Sequence, residues 1–432
     1  MSRLKKKIFV AMSGGVDSSV AAYLLKKQGY DVVGVFMRCW GDGSDPLRQS
    51  SSEASAPVGV NCAEHDAEDA RRVAEVLDIP FYVWDFEKEY KKRVVDYMVD
   101  GYRKGLTPNP DIMCNREIKF GLFLKRALAM GADFVSTGHY VRLEPELPIS
   151  PSTPSSGPRG NFQFPNKKGN KFENSSIKNL LKIKNYKLKI AKDDNKDQSY
   201  FLWTLTQNQL RHCLFPIGEY LKSEVRAIAR KAELPTAEKK DSQGICFLGQ
   251  VDLADFLKAR ISSKRGAVLD ASGQKIGEHD GAYFYTIGQR HIGTSVKRQA
   301  QSAKQDFKPV YVAEKNVRTN TLVVAEGSDS PELYRKEIKL ADVNFINPQH
   351  SNILENVGML SVMARVRYRQ PLSPATLIKN NKLSIISYEL TFAQPQKFVA
   401  PGQSAVFYLP AGVRRAKDGS GGLEMLGGGI IK

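Results

Sequence analysis

Ser13-Gly14-Gly15-Val16-Asp17-Ser18-Ser19 is the stretch from which the rest of the chain is read. It follows Ile8-Phe9-Val10-Ala11-Met12, an apolar run short and β-rich enough to be a buried parallel strand. It precedes Ser18 to Lys27, in which Val20, Leu24 and Leu25 fall on one helical face. Strand, glycine turn and helix in that order direct free backbone N–H groups and the positive end of the helix dipole at one spot. Gly14 and Gly15 let the backbone come close to an anion there, and the serine hydroxyls add donors. The loop lacks the G-K-[ST] ending of a Walker A motif and is not G-x-G-x-x-G.

The loop resembles the PP-loop of the ATP pyrophosphatases, which cleave ATP between the α and β phosphates and leave AMP on a substrate oxygen. The resemblance implies adenylation rather than γ-phosphoryl transfer. Outward from the loop, Val32 to Met37 reads as a second buried strand, completing a right-handed βαβ unit. Met37 closes that strand, where ligands sit in open α/β sheets, and is a candidate contact for an adenine; its bland reading is core filler. Residues 41 to 60 are rich in Gly, Ser and Pro, as in a flexible loop over the site. Helices over Ala63–Leu77, Glu87–Lys104 and up to Met130 alternate with strands at Phe81–Trp84 and Phe134–Thr137. The pattern predicts an α/β fold with a doubly wound parallel sheet.

That pattern breaks at Pro145, Pro148, Pro151, Pro154, Pro158 and Pro165, followed by a lysine- and asparagine-rich run to Lys192. We read residues 145 to 187 as a disordered insert within one domain, because it cannot bury enough apolar surface to offset its ordering entropy. Beyond Gly266 short strands recur at Ala282–Ile287, Val310–Ala313, Thr321–Ala325, Val362–Tyr368, Leu383–Leu390 and Ala405–Tyr408, the pattern of a small β-barrel. The expected division is a catalytic domain over 1–222, a small central domain over 223–292 and a C-terminal β-barrel over 293–432.

The 432 residues exceed one compact core. No apolar run approaches the ~20 residues of a membrane span, and the loop begins too near Met1 for a leader, so a cytoplasmic enzyme is expected. A net charge of +18, from 64 basic and 46 acidic residues, points to a polyanionic partner, by default nucleic acid. Part of that charge belongs to the insert. Five cysteines without a C-x-x-C argue against a disulfide framework and against zinc. Two stand out by setting. Cys114 follows the stiff Thr107-Pro108-Asn109-Pro110-Asp111 run close to a helix start, and Cys246 follows Lys239 and Lys240; both settings favour thiolate. Cys39, Cys62 and Cys213 read as inert small hydrophobes.

Several motifs together resemble the tRNA-specific 2-thiouridylase family (MnmA): the PP-loop, T-P-N-P-D-I-x-C-N-x-E-I-K-F at 107–120, T-G-H-Y at 137–140, N-K-D-Q-S-Y-F-L at 195–202, K-K-D-S-x-G-I-C-F at 239–247, T-I-G-Q-R at 286–290, R-Y-R-Q at 367–370 and P-G-Q-S-A-V-F-Y at 401–408. The resemblance covers most of the chain. It implies an ATP-dependent tRNA sulfurtransferase that replaces O2 of uridine 34 in the anticodon by sulfur. Cys114 would be the nucleophile and Cys246 the persulfide carrier, ending as a Cys114–Cys246 disulfide. ATP would meet Ala11, Met12, Ser13, Gly14, Gly15, Val16, Asp17, Ser18, Met37 and Gly138, with Mg2+ bridging its phosphates although no metal motif is visible. Asn109, Pro110 and Asp111 would meet the target base. His139, Lys196, Asp197 and Gln198 would meet the tRNA, and Arg367, Tyr368 and Gln403 its anticodon arm. An upstream persulfide donor protein is implied, and a monomer is expected.

The chemistry of the residues agrees. Uridine C2 carries a poor leaving group until adenylation makes its oxygen part of AMP, and sulfur then displaces it. Asp111 is a candidate general acid or base. Plainer readings stand beside these: Asp111 as a helix cap, His139 as a structural histidine, and Arg367, Tyr368 and Arg369 as an exposed strand face. The rival functions are another PP-loop synthetase passing an amine to an adenylated carbonyl, which needs no reactive cysteine pair, and a catalytically inactive RNA-binding protein. The long insert, the long loop at 41–60, and Met425 where relatives commonly have cysteine depart from the family pattern.

Overall fold

Ile8, Val10 and Met12 are buried in one core cluster, and Phe9 and Ala11 in another, as a strand covered by helices on both faces requires. The computed structural model describes residues 5–40, 62–146, 185–241, 253–290, 292, 309–382, 385–410 and 422–432. In it this strand is β1 (Lys7–Ala11), followed by β2 (Asp31–Arg38), β3 (Phe81–Asp85), β4 (Phe134–Thr137), the hairpin of β5 (Arg142–Glu146) and β6 (Asn185–Lys189), and a two-residue β7 (Cys213–Leu214). The first sheet runs β3-β2-β1-β4-β7, all parallel. The expected doubly wound sheet is present; β7 was too short to read from periodicity. Strand order reverses at β1, so the crevice beyond Ala11 and Thr137, which lie opposite each other in register, is the topological switch point.

Around this sheet lie α1 (Val16–Lys27), α2 (Cys62–Val76), α3 (residues 87–103) and α4 (residues 110–129), with α5 (Lys222–Lys231) later in the chain. Val225 and Ala229 of α5 share a core with Val20 and Ala21 of α1, so the expected boundary at 222 does not interrupt that core. α6 (Leu253–Lys258) leads into a second sheet of β8 (Gly266–Leu269), β9 (Lys275–His279), β10 (Val310–Asn316) and β11 (Thr321–Glu326), ordered β10-β11-β8-β9. β11 pairs with β8, so strands on either side of residue 292 belong to one sheet. Ala282–Phe284, expected as strand, is a single 3-10 turn between Gly281 (φ 148°) and Gly288 (φ 84°).

The remaining strands are β12 (Tyr334–Phe345), β13 (Met359–Arg365), β14 (Ser373–Lys382), β15 (Ile385–Lys397), β16 (Ser404–Tyr408) and β17 (Glu424–Ile431), with α7 (Pro348–Val357) between β12 and β13. The order β12-β15-β14-β13-β16-β17 closes through β17–β12 pairs such as Leu340 with Ile431, giving a six-stranded barrel without free edges. The β5–β6 hairpin adds to β17 through Met425 and Leu188. The ends of the expected insert, 145–146 and 185–187, are therefore strand, and the rest of it lies outside the described residues. So do the loop at 41–60 and Cys246.

Candidate active site

Gly15 ends the loop after β1 as the N-cap of α1, with no side chain capping the helix, so the first backbone N–H groups of α1 remain for a ligand. Gly14 has φ +72°, and a Cβ on it would run into the backbone carbonyl of Asp66 at the start of α2, so no other residue fits. Ser18 Oγ holds the loop in shape by accepting from Ser13 N (3.1 Å) and donating to Gly15 O (3.1 Å). Ala11, Met12 and Val16 have buried side chains, so they can offer ATP only their backbone. Gly138 packs so closely on the first turn of α1 that a Cβ there would lie 2.6 Å from Ser18 N. Met37 is half-buried at the end of β2, two residues beyond the Val35–Ala11 pair and beside the crevice.

Asp17 in this loop is not free. Lys222 Nζ, at the start of α5, lies 2.8 and 2.9 Å from its two oxygens, and Tyr140 Oη donates to it at 2.8 Å. Lys222 also pairs with Asp241 (2.8 Å), which takes Lys196 (2.7 Å) and Arg226 (2.9 Å) as well. Burial alone would raise the Asp241 carboxyl, but hydrogen bonds from Lys196 and Lys222 outweigh it and hold it down to about 2. Burial, with Asp17 beside it, pushes Tyr140 up, so it stays a donor. Lys222, Tyr140 and Asp241 were missed from sequence. One signal existed: a lysine in the first turn of a helix opposes the dipole and needs an anionic partner. Among the described residues no group of three or more His, Cys, Asp or Glu is arranged to hold a metal ion. Mg2+ held mainly by phosphate oxygens and water would fit such a donor set, in which the loop's carboxylate, Asp17, is already held by Lys222.

α4 begins at Pro110, and Asn109 caps it, accepting from Asp111 N (3.1 Å) and Ile112 N (3.2 Å). The cap is therefore Asn109 and not Asp111, which leaves the half-buried Asp111 carboxylate one turn before Cys114. Pro110 is buried. At Cys114 the helix widens into a π stretch, Cys114–Phe123, an irregularity common at functional sites. Cys114 is only 3 % exposed. Its neighbour Asn115 donates to Phe201 O (3.1 Å), and its buried Oδ1 has no protein partner. Burial pushes the Cys213 thiol up, which leaves it protonated and inert. Lys239 pairs with Asp66 (2.6 Å) and Asp69 (2.5 Å) of α2, and Cys246, whose thiolate it was expected to favour, lies outside the described residues.

His139 is buried between Phe120 and Phe215, with Nδ1 2.8 Å from Thr137 Oγ1. Burial, assisted by the Lys119 charge, pushes it well below its ordinary value, so it is neutral. Gln198 is locked to Tyr140 by two bonds of 2.9 Å, N to the Tyr140 carbonyl and Oε1 from the Tyr140 amide. Asp197 is 4 % exposed and faces the barrel rather than solvent, accepting from Arg365 Nη2 (2.6 Å) and Ser199 Oγ (2.8 Å). Arg367, Tyr368 and Arg369 lie beyond the end of β13, not on a strand face. Arg367 donates to Phe398 O (2.9 Å) and Ile287 O (2.5 Å). Tyr368 packs against Phe201 with tilted rings at 4.5 Å between centroids, and the exposed Arg369 guanidinium lies 5.3 Å from the Tyr368 ring centroid. Gln403 donates to Thr107 O at 2.8 Å. The structure thus joins Asp17, Lys196 and Gln198 in one network, and Asn109, Asp111 and Cys114 on one helix.

Comparison with known proteins agrees with this architecture. Residues 6–250 match the model of the tRNA methyl transferase HUP domain, 254–326 that of the tRNA methyl transferase PRC-barrel domain, and 335–431 that of the aminomethyltransferase beta-barrel domain. The tRNA-specific 2-thiouridylase MnmA of Christiangramia forsetii is 37% identical over 99% of this chain and 100% of its own length. The MnmA 1 of Geobacillus kaustophilus is 40% identical over 94% of this chain and 92% of its own, and the MnmA of Streptococcus thermophilus 38% over 99% and 95%. A glycine loop at a switch point, an Asn109-capped helix carrying Cys114 and likeness along nearly the whole length lead to one conclusion: the chain belongs to the tRNA-specific 2-thiouridylase family.

Proposed function

We propose that this chain is an ATP-dependent tRNA-uridine 2-sulfurtransferase acting at the anticodon wobble position. The observation that carries the reading is likeness over nearly the full length to relatives named for that activity, in a chain that keeps Ser13–Ser19 and Cys114. ATP, when bound, supplies the adenylate that turns the uridine O2 into part of a good leaving group. The α1 N-terminus and the loop amides would receive its phosphates, beside the Lys222–Asp17 pair, and Mg2+ would be held mainly by the phosphate oxygens and water. Asn109, Pro110 and Asp111 meet the base, and Asp111 holds or moves the proton. His139, Lys196, Asp197, Gln198, Arg367, Tyr368 and Gln403 form the tRNA side of the site, directly or by holding neighbours in place.

Sulfur balance follows from the two cysteines. The outer sulfur of a persulfide on Cys246 bonds to uridine C2, and the C2–O bond breaks as AMP leaves. The Cys114 thiolate attacks the inner sulfur of Cys246, breaking the S–S bond of the persulfide and forming the Cys114–Cys246 disulfide. A thiol reductant reopens it before the next persulfide arrives from a donor protein. The chain works in this reading as a cytoplasmic monomer. The test is reaction of purified Cys114→Ser and Cys246→Ser variants with tRNA, ATP and a persulfide donor, followed by mass spectrometry of the nucleosides. Neither variant is expected to form 2-thiouridine; its formation at the normal rate by Cys246→Ser refutes the sulfur chemistry.

A further inference from the structure

We propose that Gln403 and Thr286 are positioning residues for the Asp111–Cys114 turn, through a clamp on Thr107 made by the other two parts of the chain. The inference rests on the reading of Cys114 above. Thr107 is 5 % exposed, and each of its polar groups is held from elsewhere. Its N–H donates to Pro401 O (2.7 Å) and its carbonyl accepts from Gln403 Nε2 (2.8 Å), both in the barrel. Its hydroxyl meets Thr286 Oγ1 (3.3 Å), next to the central sheet. Gly402, at φ +90°, is pressed against it so that a Cβ would lie 2.7 Å from Thr107 N. Pro108 in turn packs on Gly101 of α3, where a Cβ would lie 2.7 Å from Pro108 Cγ. Pro108 and Pro110 restrict the backbone between Thr107 and the helix, so the position set at Thr107 passes to the Asn109 cap and on to Asp111 and Cys114.

The T-I-G-Q-R motif acquires a role in this arrangement. Thr286 is held by Gln289, whose Oε1 accepts from its N–H (3.1 Å) and whose N–H donates to its carbonyl (2.9 Å). Gly288 leaves room for Phe398, since a Cβ there would lie 2.5 Å from that ring, and Arg367 ties Ile287 O and Phe398 O together. The turn is wedged between barrel and catalytic loop. A displacement near 1 Å at a reacting group costs about 100-fold in rate, so loosening this wedge acts on the chemistry rather than on tRNA affinity.

The experiment uses the full-length chain with Thr286→Val, Thr286→Ser and Gln403→Glu, whose carboxylate cannot donate to Thr107 O. Multiple-turnover thiolation with a thiol reductant present gives kcat and the KM for tRNA. Alkylation of Cys114 by iodoacetamide across pH, read by peptide mass spectrometry without tRNA or ATP, reports opening of the turn directly, with Cys213, equally buried but outside the turn, as the reference. Thr286→Val is expected to lower kcat about 10- to 100-fold at unchanged KM and to shift the alkylation profile of Cys114 alone, with Thr286→Ser restoring both. Gln403→Glu is expected to shift the same profile. Unchanged kcat and unchanged Cys114 alkylation, with Gln403→Glu raising KM only, overturn the clamp; so does Cys213 becoming reactive alongside Cys114, which marks general unfolding. Failure of thiolation in the wild type refutes the functional reading and leaves the alkylation result to decide the clamp.

Discussion

Replacing Asp197 by Asn separates two roles for that residue, a contact with tRNA and a strut inside the protein. The Asp197 and Arg365 side chains are 4 % and 9 % exposed, 2.6 Å apart, and share Ser199 as a hydrogen-bond partner, while Arg365 also donates to Tyr408 Oη (2.6 Å). The guanidinium lies between the Tyr408 ring (5.2 Å) and the Tyr200 ring (5.9 Å), so without the carboxylate it is a buried charge among aromatic groups. Breaking one side of such a pair costs about 3–5 kcal/mol. At roughly 2–4 °C per kcal/mol for a unit of 150–250 residues, the Tm of the cooperative unit containing the barrel falls by about 6–20 °C. Asp197→Asn combined with Arg365→Met recovers part of that loss, because apolar replacement removes the stranded charge. Scanning calorimetry measures the shift, and filter binding at fixed salt and at a temperature well below the transition measures tRNA affinity, which is expected within about threefold of wild type because the carboxylate faces inward. A wild-type Tm together with a tenfold loss of tRNA affinity would refute the reasoning and return Asp197 to the tRNA surface.

Lys222→Met removes the cation shared by Asp17 and Asp241; loss of its charge-assisted contacts is expected to reduce ATP-dependent pyrophosphate release about 10- to 100-fold with tRNA binding unchanged, and wild-type release would show that Lys222 serves the fold alone. His139 binds its proton less readily folded than unfolded, so its contribution to stability is full above its unfolded value near 6.5 and is lost as pH falls from there toward the lower folded value. Unfolding free energies from denaturant titrations between pH 7.5 and 5 are expected to fall by up to about 1.4 kcal/mol per pH unit from this group, and His139→Gln should remove that part of the slope; an identical slope in the variant contradicts the assignment.

Residues 8–19 carried the strand, glycine loop and helix in plain view, because all three are written in neighbouring residues. The parallel sheet was legible for the same reason, down to the strands at 81–84 and 134–137, whereas β7 has two residues and no period to read. Roles for Cys114 and Asp111 came from motif resemblance, and their setting was half legible: two prolines announced a helix start, but only the backbone geometry distinguishes Asn109 from Asp111 as its cap.

What the amino-acid order determined by itself is therefore local and periodic: the strand-loop-helix unit, the alternation that makes a doubly wound sheet, the change to short strands, and the charge that suits a polyanion. Tertiary structure alone decided which charges meet. Asp197 and Arg365 are separated by 168 residues, Asp17 and Lys222 by 205, and Thr107 and Gln403 by 296. Hydrogen-bond and ion-pair energies fall off over a few ångströms and carry no trace along the chain, so only folding reveals that Asp197 is spent inside the protein, that Lys222 pairs with Asp17 of the glycine loop, and that the barrel holds the loop from which the Cys114 helix begins.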